Sequence, residues 1–126
     1  MELQDFVGKT VSEVQINQAC DVMLWFIDDK VFTLIAVGDC CSSSWYEHCD
    51  NASAFDNAQI FECENVNVES IETESETIQI NMFKIKTSKG DCTIEFRNSS
   101  NGYYSGWIEI HEGKPKSGSF EKIEDF

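Results

Sequence analysis

Proline and arginine are almost missing from this chain of 126 residues: each occurs once, as Pro115 and Arg97. With no proline before residue 115, nothing in the body of the chain forbids continuous strand pairing. Bases are scarce altogether, with nine Lys and Arg against 23 Asp and Glu and a net charge of −14. Nucleic acid and anionic membrane surfaces are held by Lys and Arg that displace counterions, so direct binding to either is not expected. No apolar run approaches the ~20 residues of a membrane span. Met1-Glu2-Leu3-Gln4-Asp5 also lacks the basic and apolar regions of a signal peptide. The expected location is therefore the cytoplasm, the host cytoplasm if a phage encodes the chain, where thiols stay reduced. In that compartment the Asn-x-Ser sequences at Asn51 and Asn98 carry no meaning.

The length suits one domain over residues 1–126. An apolar fraction of 41% and an aromatic fraction of 12% describe a chain that folds.

Alternation and turn residues predict strands at 11–17, 22–28, 31–37, 59–68, 77–87, 92–97 and around 107–111. Residues 22–28 are apolar on both faces, as in a central strand, and Asp28-Asp29-Lys30 turns the chain back into 31–37. Within 77–87 the apolar positions switch phase, from Ile78, Ile80 and Met82 to Phe83 and Ile85, which predicts a bulge or bend. Ser42-Ser43-Ser44 reads as the cap of a short helix over 45–49. Phe120, Ile123 and Phe126 suit a short terminal helix docked on the body. Strand follows strand through short turns, which favours antiparallel pairing over βαβ units. The expected fold class is a β-rich α+β domain: an antiparallel sheet of about six to seven strands with one or two short helices.

The charge is unevenly spread. From Val31 to Phe83 there is no Lys or Arg, while ten acids occur. Glu62, Glu64, Glu69, Glu72, Glu74 and Glu76 are the candidate partner-binding acids. In an extended segment the alternating Glu72, Glu74 and Glu76 stand roughly 6.5–7 Å apart on one face, close to the phosphate repeat of a nucleic-acid strand. A solubilising surface usually mixes its signs, so a one-sign stretch points to a basic partner. The alternative is a solvated loop.

Asn98-Ser99-Ser100-Asn101-Gly102-Tyr103-Tyr104 joins two strands, and Tyr103 and Tyr104 complete the candidate partner surface. Tyrosine on a polar turn offers contact area at low entropic cost; the alternative is a hairpin whose rings cover its own sheet. Lys84, Lys86, Lys89 and Arg97 form the one basic cluster, suited to the acidic stretch of this or a second subunit, as in a homodimer, or to a ligand phosphate.

Cys40, Cys41, His48 and Cys49 lie within ten residues. Zinc sites need spaced thiolates such as C-x₂-C, and adjacent cysteines chelate poorly, so no metal and no cofactor is expected. A Cys41–His48 nucleophile pair with Asp39 requires contact that spacing cannot show. Cys20, Cys63 and Cys92 read as core. No catalytic residue is assigned and no enzyme is expected.

The segments Gly38–Trp45, with Gly-Asp-Cys-Cys-Ser-Ser-Ser-Trp, and Phe96–Gly106, with Asn-Gly-Tyr-Tyr, resemble a domain-of-unknown-function family of phage and bacterial proteins. The resemblance implies a small β-rich domain and a phage origin, and no activity. Three functions compete. The leading one is a non-enzymatic acidic inhibitor from a phage or mobile element. It would block a basic nucleic-acid-binding host protein, such as a defence nuclease, by charge mimicry. The second is a cyclic-nucleotide-sequestering protein that stacks its ligand on Tyr103, Tyr104 and Trp107 and holds phosphate with Arg97. The third is a cysteine-dependent enzyme using Cys41 and His48.

Overall fold

A computed structural model describes residues 1–126, apart from the side chain of Glu69. Nine strands form: β1 (Thr10–Asn17), β2 (Val22–Ile27), β3 (Lys30–Gly38), β4 (Ser43–Asp50), β5 (Ala58–Glu72), β6 (Thr77–Thr87), β7 (Gly90–Ser100), β8 (Gly106–Glu112) and β9 (Phe120–Lys122). The expected antiparallel, β-rich character holds. The strand count is higher than expected, and no α-helix forms among the described residues. The helical turns are two single 3-10 turns, Leu3–Phe6 and Ala52–Phe55.

Neither predicted helix forms: one is a strand, and the other is a short strand with an irregular end. Trp45–Cys49 lies in β4, paired antiparallel with β7 from Ser43↔Ser99 to Asp50↔Thr93. Trp45 and Tyr46 favour a pleated, half-buried surface, and the serine hydroxyls bond backbone carbonyls, Ser42 that of Asp39 in the turn and Ser44 that of Val37 in β3. The tail runs extended as β9 along β1. It buries Ile123 in the core and ends with reciprocal backbone bonds between Phe126 and Cys49. It therefore links β1 to β4.

The sheet runs in the order β4-β7-β6-β5-β1-β2-β3-β8, with β9 beside β1. It divides into two layers. One holds β9, β1, β2, β3 and β8; the other holds β5, β6, β7 and β4. They join where Thr10 and Val11 of β1 pair with Gln59 and Ala58 of β5. Inward side chains of both layers share one core around Trp25, Phe6 and Phe55, with ring centroids 5.6 Å (Phe6–Trp25) and 5.0 Å (Trp25–Phe55) apart. Register shifts let nominally out-of-phase residues share the inner face: Val11 with Val14 in β1, and Tyr46 with Cys49 in β4.

The predicted bulge in 77–87 is absent. β6 pairs with β7 without a shift from Thr77↔Ser100 to Thr87↔Gly90. The shifts near it lie on β5, at Ile60/Glu62 and Val68/Ile71. In β6 the inner face stays the same while its chemistry changes, from Gln79 and Asn81 to Phe83 and Ile85. The apolar residues Ile78, Ile80 and Met82 lie on the outer face.

The Trp25 indole Nε1–H is buried without a hydrogen-bond partner. Trp25→Phe removes that orphan donor and keeps most of the aromatic area. We expect it to cost less than about 1.5 kcal/mol in urea unfolding, because the relieved desolvation penalty offsets part of the lost volume. A larger loss would show that the indole edge is held by packing alone.

Candidate functional site

The two sequence motifs meet at one end of the molecule. Gly38 and Gly106 are cross-strand partners at the close of β3 and the start of β8. Over them lies Asn98, fully buried on the inner face of β7. Its Nδ2 donates to Ser44 Oγ at 2.8 Å and to Ser42 Oγ at 3.1 Å. A Cβ on either glycine would overlap a serine hydroxyl and stand 2.7 Å from Asn98 Nδ2. Asp39 N–H donates to Ser105 O at 3.0 Å across the same end. Gly38, Ser42, Ser44, Asn98 and Gly106 thus form a polar clasp that holds the two layers together. The Gly-Asp-Cys-Cys-Ser-Ser-Ser segment owes its composition largely to this closure.

The clasp brings three turns side by side: 39–42, 73–76 and 101–105. The β5–β6 turn is tied down by Ser99 Oγ donating to Glu76 Oε2 and by Glu76 N–H donating to Thr73 Oγ1 at 3.1 Å. Thr77 Oγ1 lies beside Gly102 of the tyrosine turn. Asp39, Glu72, Glu74 and Glu76 therefore share an end with Tyr103 and Tyr104. No Lys or Arg occurs in these turns, and among the described residues none of the four carboxylates enters an ion pair. Tyr103 is 88% exposed, so its ring does not cover the sheet, whereas Tyr104 is 37% exposed.

The six candidate glutamates do not form one row. Glu62 and Glu64 lie on the outer face of β5 opposite Lys86 and Lys84, and Glu62 pairs with Lys86 at 3.7 Å. The register shift between Val68 and Ile71 separates them from Glu72, Glu74 and Glu76 at the turn. The side chain of Glu69 lies outside the described residues. The physical reason is cross-strand complementarity: β6 carries Lys84 and Lys86 at matching positions, and opposite charges facing each other stabilise the pair.

Arg97 sits on the outer face of β7, its Nε 2.6 Å from Glu95 Oε2 in a largely buried pair. Cys41 and His48 are not brought together. His48 lies five residues along β4 from Ser43, on the order of 17 Å of extended chain, and its Nδ1 faces Phe126 O at 3.3 Å.

The cysteines divide by exposure. Cys40 and Cys41 are exposed on the β3–β4 turn, their sulfurs 3.3 Å apart, and Cys20, expected in the core, is only half-buried because it sits on the β1–β2 turn. Cys49, Cys63 and Cys92 are buried, as expected for Cys63 and Cys92. Burial and then the nearby Glu62 charge push the Cys63 thiol up to about 11. A hydrogen bond with Cys49, then burial, pushes Cys92 up further. N-ethylmaleimide followed by intact mass should therefore modify Cys40 and Cys41 first and Cys20 more slowly. Cys49, Cys63 and Cys92 should stay unmodified until denaturant is added. Equal rates at all six would contradict this burial pattern.

A second surface escaped sequence reasoning. An open cavity of about 710 Å³ lies between the edge of β8 and the inner face of β5 and β6. Asn65, Asn81 and Phe83 line it, with Leu3 and Gln4 at one side and Ile108 and Ile110 at the other. Asn81 Nδ2 donates to Asn65 Oδ1 at 2.9 Å and to Asn67. The inward-facing amides of β6 were its one signal, and read as a broken alternation they pointed to a bulge instead.

Residues 4–110 match the family model described as Domain of unknown function (DUF7448). An uncharacterized protein of Acanthamoeba polyphaga mimivirus is 32% identical over 115 residues, covering 84% of this chain and 90% of that protein. No solved structure matches the chain. With the family model spanning both motif segments, strands β1 to β7 and most of β8, the chain belongs to the DUF7448 family.

Proposed function

We propose that the protein is a non-catalytic acidic binding protein whose three-turn end captures a basic protein surface. One observation carries the reading: among the described residues Asp39, Glu72, Glu74 and Glu76 form no ion pair, and they share an end with an 88%-exposed tyrosine, with no base in the three turns. Unpaired carboxylates keep their field, whereas those opposite lysines lose it. An exposed tyrosine between them supplies an amphipathic anchor. The β-clasp beneath holds the turns in place before binding, which lowers the ordering cost.

In its specific form, the protein blocks a basic nucleic-acid-binding host protein, such as a defence nuclease, and acts in the host cytoplasm. The net charge of −14 supports this form, and a relative encoded by a mimivirus supports a viral setting. Mimicry then rests on the turn acids, not on a row from Glu62 to Glu76.

The test is a pull-down of a strongly basic nuclease at low and high salt. The wild-type chain is compared with a variant carrying Glu72→Gln, Glu74→Gln and Glu76→Gln. Salt-sensitive capture that the variant loses supports the reading. Capture that is unchanged in the variant removes the turn acids as the site.

A further inference from the structure

The edge of β8 has an unfilled neighbour. β8 pairs with β3 alone. Gly113 N–H bonds Val31 O and Asp39 N–H bonds Ser105 O, so the odd-numbered residues of this segment bond toward β3. Gly106, Ile108 and Ile110 therefore direct their N–H and C=O groups the other way, over the cavity. At Gly106 the first such rung is already made. Its N–H donates to Gln79 Oε1 at 3.0 Å, and its C=O accepts from Gln79 Nε2 at 3.1 Å. The Gln79 amide thus does what a residue of an added strand would do.

We propose that this groove is a strand-addition site for an extended basic peptide segment, with apolar and Lys or Arg residues in alternation. An added strand continues the rung pattern from Gln79 by pairing with Ile108 and Ile110. Its inward side chains meet the apolar floor at Phe83 and Leu3. Its outward side chains lie beside Glu109, whose one close partner among the described residues is His111 at 3.0 Å, with Glu2 exposed on the far rim. Basic side chains complement that rim. A second copy of this chain does not, because each copy brings a net charge of −14. The site adjoins the three-turn end at Gly106 but uses none of its acids, and does not depend on its function.

The probe is an end-blocked octapeptide of alternating lysine and valine, titrated into the full chain with amide NMR shifts as readout. The largest shifts are expected at the Ile108 and Ile110 amides. The same peptide N-methylated on the residues that face β8 keeps its charge and loses its donors; it should bind at least about tenfold more weakly. Ile108→Pro removes a donor the β3 ladder does not use, and should weaken the parent peptide similarly. The Glu72→Gln, Glu74→Gln, Glu76→Gln variant should bind it within about twofold of wild type. Equal binding of the parent and N-methylated peptides would overturn the proposal. So would loss of binding in the triple variant with β8 amides unmoved, or a dimer in solution that Ile108→Pro dissociates.

Discussion

Asn98→Ala should lower the stability of the domain by about 2–3 kcal/mol, a fall in Tm of roughly 10 °C. Asn98 is fully buried, and its amide is shared between Ser42 and Ser44. Both serine hydroxyls already donate to backbone carbonyls, of Asp39 and Val37. Without the amide they keep their donors satisfied and lose their acceptor role in a dry site, and a cavity opens above Gly38 and Gly106. Asn98→Asp separates hydrogen bonding from volume. It is nearly the same size but sets a carboxylate with no N–H against two serine oxygens, so it should cost at least as much. Gly106→Ala tests the same clasp from the other side. Its Cβ would press on Ser44 and Asn98, costing about 1–3 kcal/mol. Thermal unfolding of the three variants checks all of this. An Asn98→Ala protein as stable as wild type would show that the motif holds nothing together.

Neutralising Glu72, Glu74 and Glu76 should lower the affinity for a basic protein by about tenfold or more at low salt, chiefly through a slower on-rate. Three charges lost within one Debye length of a basic patch remove much of the steering field, and at 0.1 M salt that length is about 10 Å. Raising salt should weaken the wild type toward the variant until the two nearly coincide. Tyr103→Ala should behave differently. It should raise the off-rate and leave the salt dependence alone, because its contribution is buried area. Surface plasmon resonance across a salt series separates the two. Equal salt slopes for wild type and the triple variant would assign the binding to another surface.

Much of the architecture was legible because each strand carries its own pattern. Cys92, Ile94 and Phe96 alternate with Thr93, Glu95 and Arg97, and the structure buries the first three. The hairpin at Asp28-Asp29 places both aspartates at positive φ, as its turn residues suggest. Residues 45–49 and 120–126 read as helices in sequence because five to seven residues with a serine cap or spaced apolar positions fit either period. In both cases a neighbouring strand with unpaired backbone groups decided the outcome.

For the candidate site, composition alone set the sign of the surface charge: 23 acids stand against nine Lys and Arg. It also established that Tyr103 and Tyr104 sit on a turn, since Asn-Gly permits little else. Which acids remain free was decided by register. β6 sets Lys84 and Lys86 against Glu64 and Glu62 and leaves Glu72, Glu74 and Glu76 without a base. The meeting of two distant motifs at Asn98, and the open edge of β8, were likewise decided by the tertiary structure. Local pattern specifies which face a side chain takes, but which strand lies beside it depends on how the whole sheet closes.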